Sequence, residues 1–113
     1  MHGLSSREGV LRSFLSRARG FRGVAAVEGG KVYLAGEITR EQVERAAEAF
    51  SFASEVLRKA RGIGVKVLVA EGEGGGLVYA KYGFTSYVVA VYRDISLGVA
   101  YHEVKRLVAE LAG

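Results

Sequence analysis

The sequence predicts a single α/β domain of the α+β kind, ordered α-β-β-α-β-β-β-α. Three observations carry that expectation. Three segments repeat apolar residues at helical spacing, five short runs between them are rich in valine, alanine and aromatics, and glycine clusters punctuate the runs. With 113 residues, 50% of them hydrophobic and 25% charged, the chain has material for one core spanning 1–113 and is too apolar for disorder.

Ser5 opens a Ser-Ser-Arg-Glu box in which the Ser5 hydroxyl and the Glu8 carboxylate can satisfy free amides at a helix start. Val10, Leu11, Phe14, Leu15 and Ala18 follow at helical spacing and Gly20 offers a stop, so the first helix is expected from about Ser6 to Arg19. Phe21–Glu28 and Lys31–Ile38 read as two strands joined through Gly29 and Gly30, whose freedom at positive φ suits a two-residue hairpin. Thr39 and Gln42 form a second capping box, ahead of a helical pattern that runs to Arg61 and stops at Gly62. Ile63–Glu71, Leu77–Tyr82 and Ser86–Arg93 are expected as an antiparallel meander, linked by the glycine-rich 72–76 and by Gly83, Phe84 and Thr85. A last helix sets Leu97, Ala100, Tyr101, Val104, Leu107, Val108 and Leu111 on one stripe, with His102, Glu103, Lys105, Arg106 and Glu110 opposite.

Composition narrows the function classes. Cysteine is absent, which removes disulfides and thiolate metal or redox sites. Residues Met1 to Arg12 lack the apolar run of a signal peptide and no stretch suits a membrane span, so a cytoplasmic location is expected. Asparagine is absent, Gln42 is the only glutamine and Met1 the only methionine; this depletion of thermolabile residues points to heat adaptation, with the absence of proline counting against it. The net charge of +4 is concentrated at the amino terminus, where Arg7, Arg12, Arg17, Arg19 and Arg22 face the single acid Glu8. Such a segment can attract nucleic acid or an anionic surface, although a solvated helix face explains it as well.

The motifs of catalysis do not assemble. The glycines at 72–76 join strand to strand and precede no Lys-Ser or Lys-Thr, so they read as a flexible turn rather than a phosphate loop. His2 and His102 have no ligand at i+4, and neither converges with a nucleophile or acid. Glu41, Glu44, Glu48 and Glu55 line one side of the second helix as solvated charge, with Arg45, Arg58 and Lys59 as local partners. Tyr79, Tyr82, Tyr87 and Tyr92 could stack bases, yet only Lys81 and Arg93 lie among them, so ordinary strand packing is the better reading. No catalytic, cofactor-binding or metal residue is assigned; a binding or scaffolding module is expected rather than an enzyme.

Two surfaces look adhesive. At about 100° per residue, Val43, Ala47, Phe50 and Leu57 of the second helix form one stripe, whereas Ala49, Phe52 and Val56 fall on another face, with Phe52 turned most of the way round. A helix packed on one side only would be polar there. The strand Ile63–Glu71 begins the meander, so it is expected at a sheet edge, and Lys66 is its only internal charge. Val65, Val67 and Val69 are its candidate contacts in a two-fold pairing with a second copy.

Val65-Lys66-Val67-Leu68-Val69-Ala70-Glu71-Gly72 before a glycine turn, and Ser96-Leu97-Gly98 opening the last helix after Tyr87-Val88-Val89-Ala90-Val91, resemble the roadblock family. This is the dynein light-chain superfamily, with archaeal and bacterial members that work with small Ras-like GTPases. The resemblance covers nearly the whole chain and rests on diffuse motifs, Leu97 and Gly98 being the most telling. It implies a five-stranded antiparallel sheet with helices one and three on one face and helix two on the other, a roadblock/profilin-like architecture. It further implies homodimers that pair strand three with strand three and helix two with helix two. The implied activity is that of a scaffold or regulator of a GTPase on a separate chain, with no catalytic residue carried over. For the contact with that GTPase the candidates are Arg45, Glu48, Glu55 and Lys59. Longin domains usually begin with the hairpin, and the amino-terminal helix argues against them. The competing reading is a basic module for nucleic acid or an anionic surface, built on the arginines of 7–22.

Overall fold

The computed structural model describes residues 6–113 and has the element order expected from the sequence. Helix α1 (Arg7–Arg17) leads into strands β1 (Phe21–Glu28) and β2 (Lys31–Gly36); α2 (Arg40–Arg61) follows, then β3 (Val67–Gly72), β4 (Gly75–Lys81), β5 (Ser86–Tyr92) and α3 (Leu97–Ala112). The five strands form one antiparallel sheet in the order β2-β1-β5-β4-β3, which leaves β2 and β3 as edges.

Strand alternation sorts the apolar residues into two layers. Val24, Ala26, Val78, Ala80, Val88, Ala90 and Tyr92 face one way and meet Leu11 and Phe14 of α1 and Ala100, Val104, Leu107 and Leu111 of α3. Ala25, Val27, Tyr79 and Val89 face the other way and meet Val43, Ala46 and Phe50 of α2. The inner strands are buried on both sides, which is why their sequences read as continuous apolar runs instead of alternating ones.

Several boundaries move from their expected places. The first helix is capped by Ser6, whose hydroxyl accepts from the Gly9 amide at 3.0 Å; Ser5, the expected cap, lies outside the described residues, as does His2. That helix ends at Arg17, because Ala18 is extended and buried in the core. The second helix has the full capping box, with Thr39 and Gln42 bonded reciprocally at 2.9 and 3.1 Å, and it stops at left-handed Gly62.

Strand β2 ends at Gly36, two residues early. That residue has φ 77°, and a β-carbon there would sit 2.5 Å from the Arg22 carbonyl oxygen, so the chain turns away. Strand β3 starts at Val67 rather than Ile63, because pairing with β4 begins at Val67 opposite Ala80 and β4 itself ends at Lys81.

The glycines at 72–76 are not a loose loop. Gly72 pairs with Gly75, so only Glu73 and Gly74 turn, while Gly75 and Gly76 are strand residues. A β-carbon on Gly76 would lie 2.5 Å from the Tyr92 ring, and one on Gly75 would lie 2.5 Å from the Tyr92 carbonyl oxygen. Close approach of neighbouring groups, rather than flexibility, explains glycine at both.

Candidate functional site

Helix α2 is longer than any strand of the sheet. Its 22 residues span about 33 Å, against about 23 Å for a seven-residue strand. Val43, Ala46 and Phe50 anchor the first half, where Phe50 stacks on Tyr79 at 4.0 Å and Tyr79 on Tyr87 at 4.7 Å. From Ser51 onward no residue of the helix is buried. Leu57, expected on the core stripe with Val43, Ala47 and Phe50, is exposed, and Ala47 is half-buried.

The outer face of α2 is apolar at its centre. Phe52 is 74% exposed and Val56 48%, with Ala49 exposed one turn before, so Phe52 packs under no loop. At 100° per residue, Arg45, Glu48, Glu55 and Lys59 fall on the same outward stripe as Phe52, opposite Val43, Ala46 and Phe50. The apolar and charged candidates therefore share one surface, with charge around an aromatic centre. Arg45 pairs with Glu41 at 3.1 Å and Arg58 with Glu55 at 2.9 Å, whereas Glu48 and Lys59 make no ion pair among the described residues. These pairs lie in solvent, and each contributes at most ~1 kcal/mol to the helix.

Strand β3 is an edge strand and pairs on one side only, with β4. Val67 and Val69 turn toward the layer under α1 and α3, while Val65 and Leu68 pack against the layer under α2. All three valine candidates are thus half-buried within their own chain. What the edge offers a partner is backbone amides and carbonyls more than valine side chains.

The tyrosines belong to the interior rather than to a stacking platform. Tyr79 and Tyr92 are buried, and burial, with a smaller contribution from Tyr87, pushes the Tyr79 hydroxyl up to about 12. Burial and then the hydrogen bond to Glu71 raise Tyr92, and burial and then the Glu44 charge raise Tyr87. The Tyr82 hydroxyl donates to Glu28, which also receives Arg7 at 3.0 Å, tying α1 to the ends of β1 and β4. His102 is exposed on α3, and among the described residues no cluster of His, Asp and Glu could hold a metal ion. No described helix is long and apolar enough to cross a membrane.

The arginine-rich segment divides in two. Arg7 pairs with Glu28, Arg17 with Glu110 at 3.1 Å and Arg12 with Glu8 at 3.9 Å, which leaves Arg19 and Arg22 without an ion pair among the described residues. Sequence reasoning passed over Phe84, 94% exposed at the β4–β5 turn with the Lys81 ammonium 5.9 Å from its ring centre. An aromatic residue between glycine and threonine in a turn was its only signal.

No family model matches the chain, and no curated protein matches it in sequence. Its fold, however, is found among solved structures. A Roadblock/LC7 domain from Streptomyces avermitilis superposes with a TM-score of 0.72 at 16% identity, over 95% of this chain and 95% of that one. MglB of Myxococcus xanthus gives 0.75 at 20% identity, over 93% and 84% of the two chains. An MglB in a tetrameric arrangement gives 0.72 at 22% identity, over 91% and 82%. The chain has the roadblock/LC7 fold, as its strand and helix motifs led one to expect.

Proposed function

We propose that this protein is a homodimeric scaffold or regulator that binds a separate small Ras-like GTPase and supplies no catalytic residue itself. Two observations together carry the reading, the outward apolar stripe of α2 and the one-sided edge of β3. The stripe side chains and the free backbone groups of the β3 edge are not used by the monomer core, and together they suit an isologous contact of helix with helix and strand with strand. The roadblock fold and its presence in an MglB of tetrameric arrangement support assembly of this kind. In this reading Phe52, Ala49 and Val56 lie close to the two-fold axis, and the backbone of β3 extends the sheet into the partner. Arg45, Glu48, Glu55 and Lys59 then surround the seam, where a GTPase can read both copies at once. The basic-module alternative loses support, since Arg7, Arg12 and Arg17 are already paired with carboxylates.

The decisive variant is Phe52→Glu. Burying a phenylalanine contributes about 2 kcal/mol, and a two-fold contact loses it twice. The dimer should therefore weaken by roughly 4 kcal/mol, on the order of a thousandfold in dissociation constant. Light scattering across a dilution series reads the assembly, and circular dichroism confirms the fold. A variant as dimeric as its parent at low micromolar concentration places the seam elsewhere. Coexpression with a GTPase encoded beside this gene tests the partner, and absence of association in both nucleotide states overturns that part.

A further inference from the structure

At one end of the sheet, where β1 begins and β5 ends, two open clefts share Arg22 and Arg93 as a common wall. One, of about 560 Å³, is bounded by Arg19 and Gly20 on one side and by Asp94 and Ile95 on the other. Its neighbour, of about 300 Å³, runs past Glu37 to Glu73 at the β3–β4 turn. Arg19, Arg22 and Arg93 arrive from three places, the α1–β1 turn, the first residues of β1 and the residue after β5. Asp94, the only described non-glycine residue at positive φ (59°), turns the chain at this wall.

The charges here are uncommitted. Arg19 and Arg22 make no side-chain hydrogen bond or ion pair among the described residues, and Arg93 spends only its Nε, on the Gly74 carbonyl at 3.1 Å. Glu37, Glu73 and Asp94 take part in no ion pair among the described residues. Elsewhere Arg7, Arg17, Arg45 and Arg58 each reach a carboxylate within 3.1 Å. Arg40 and Arg61, at the two ends of α2, make no ion pair among the described residues but do not converge with other arginines as Arg19, Arg22 and Arg93 do. Three guanidinium forks suit carboxylate or phosphate oxygens. The charges are also ordered across the two clefts: Arg19 and Asp94 line only the first, Arg22 and Arg93 the wall between them, and Glu37 and Glu73 only the second.

We propose that this double cleft binds a short peptide segment of a further partner, with acidic residues against Arg19, Arg22 and Arg93 and a basic residue against Glu37 and Glu73. A nucleic-acid strand fits less well. A polyanion needs a continuous basic track, and here it would run onto two carboxylates. A peptide with its charges segregated meets opposite signs at both ends. The surface is separate from the outer stripe of α2, so a protomer could hold this peptide and the α2 contact together.

The test is fluorescence anisotropy with the full chain and three labelled probes. One is a peptide with three aspartates at one end and two lysines at the other; the second is its scrambled isomer, and the third a mixed-sequence single-stranded oligonucleotide. The segregated peptide should bind several-fold better than the scrambled one, and more weakly at high salt. Arg19→Glu/Arg22→Glu should reduce that affinity about tenfold, at roughly 0.7 kcal/mol for each exposed pair lost. Glu37→Lys/Glu73→Lys should abolish the preference for the segregated peptide, which provides a second reading if the arginine variant is unfolded by circular dichroism. Phe52→Glu should leave peptide binding unchanged, separating this site from the dimer seam. Equal affinity for both peptides, an unaltered arginine variant, or tighter binding of the oligonucleotide would each overturn the proposal.

Discussion

On one face of the sheet α1 and α3 lie side by side and close over Phe14, Tyr92 and Leu107; on the other, α2 lies alone and buries only its first three turns. The apolar residues of α1 and of the middle and end of α3 are spent on their own core. Those of α2 are not: Phe50 is buried, whereas Phe52, Val56 and Leu57 stand in solvent. Scattered exposed apolar residues are ordinary, but Phe52 and Val56, with Ala49 one turn before, share one outward face of the helix and make a patch. The contrast separates two uses of hydrophobic side chains that a sequence writes in the same letters. One closes a core within the chain, and the other provides surface with no use inside the protomer.

The largest expected effects test whether the two faces differ in strength. Phe14 is fully buried and meets Phe21 at 4.7 Å, so Phe14→Ala leaves a cavity that two helices and a sheet cannot easily close. The loss should lie near the upper end of the ~3–5 kcal/mol seen for such truncations. Phe50→Ala opens a space beside the unsupported half of α2, which can settle inward, and should fall near the lower end. Urea denaturation at a concentration where the chain is monomeric compares them. Equal losses would mean that the α2 face is as complete as the other.

A smaller effect is expected at Gly76, on β4. Gly76→Ala pushes a methyl to within 2.5 Å of the Tyr92 ring, which is buried and also bonded to Glu71 at 3.0 Å, so neither group can yield easily. Overpacking of this kind costs about 1–3 kcal/mol. Gly62→Ala, at an open site with φ 67°, carries only backbone strain and should cost about 1 kcal/mol. A Gly76 variant no less stable than the Gly62 variant would show that Tyr92 is free to move.

Local signals account for what was legible. The Thr39 and Gln42 box, the Gly29 and Gly30 turn and the 3.6-residue stripes each act within a few residues and mark where the second helix, the hairpin and the last helix lie, although Leu97 and Tyr101, expected on the apolar stripe of that last helix, are exposed. The misplacements have non-local causes. Strand β3 is shorter than its apolar run because its partner β4 ends at Lys81, and Gly75 and Gly76 join a strand because Tyr92 lies across them. The outward turn of Phe52 was legible from angle alone, since it depends only on helix geometry. That Leu57 also lies in solvent was not, because its helix angle sets it near the buried Phe50 and its burial depends on contacts from elsewhere in the chain. The arginine cleft was hidden for the same reason: Arg93 follows Arg22 by some seventy positions, and strand pairing alone brings Phe21 opposite Tyr92 and so sets them together.

The smallest predicted effect asks how far the anchoring of α2 depends on its amino-terminal end. The Thr39 hydroxyl accepts from the Gln42 amide at 3.1 Å, and the Gln42 side chain accepts from the Thr39 amide at 2.9 Å, one turn before Val43 enters the core. Thr39→Ala removes the first bond, frees an amide and should cost about 1 kcal/mol. If the first half of α2 is its only anchor, that loss should appear in hydrogen exchange as faster exchange along the whole helix, from Val43 to Arg61, with α1 and α3 unchanged. Contacts made by the second half in an assembled protein would alter the pattern. Protection of Phe52 to Arg61 would then depend on protein concentration, while that of Val43 to Phe50 would follow the cap. Uniform acceleration at every concentration would count against any partner on the outer stripe, because a helix half held by another chain cannot open with the half that is not.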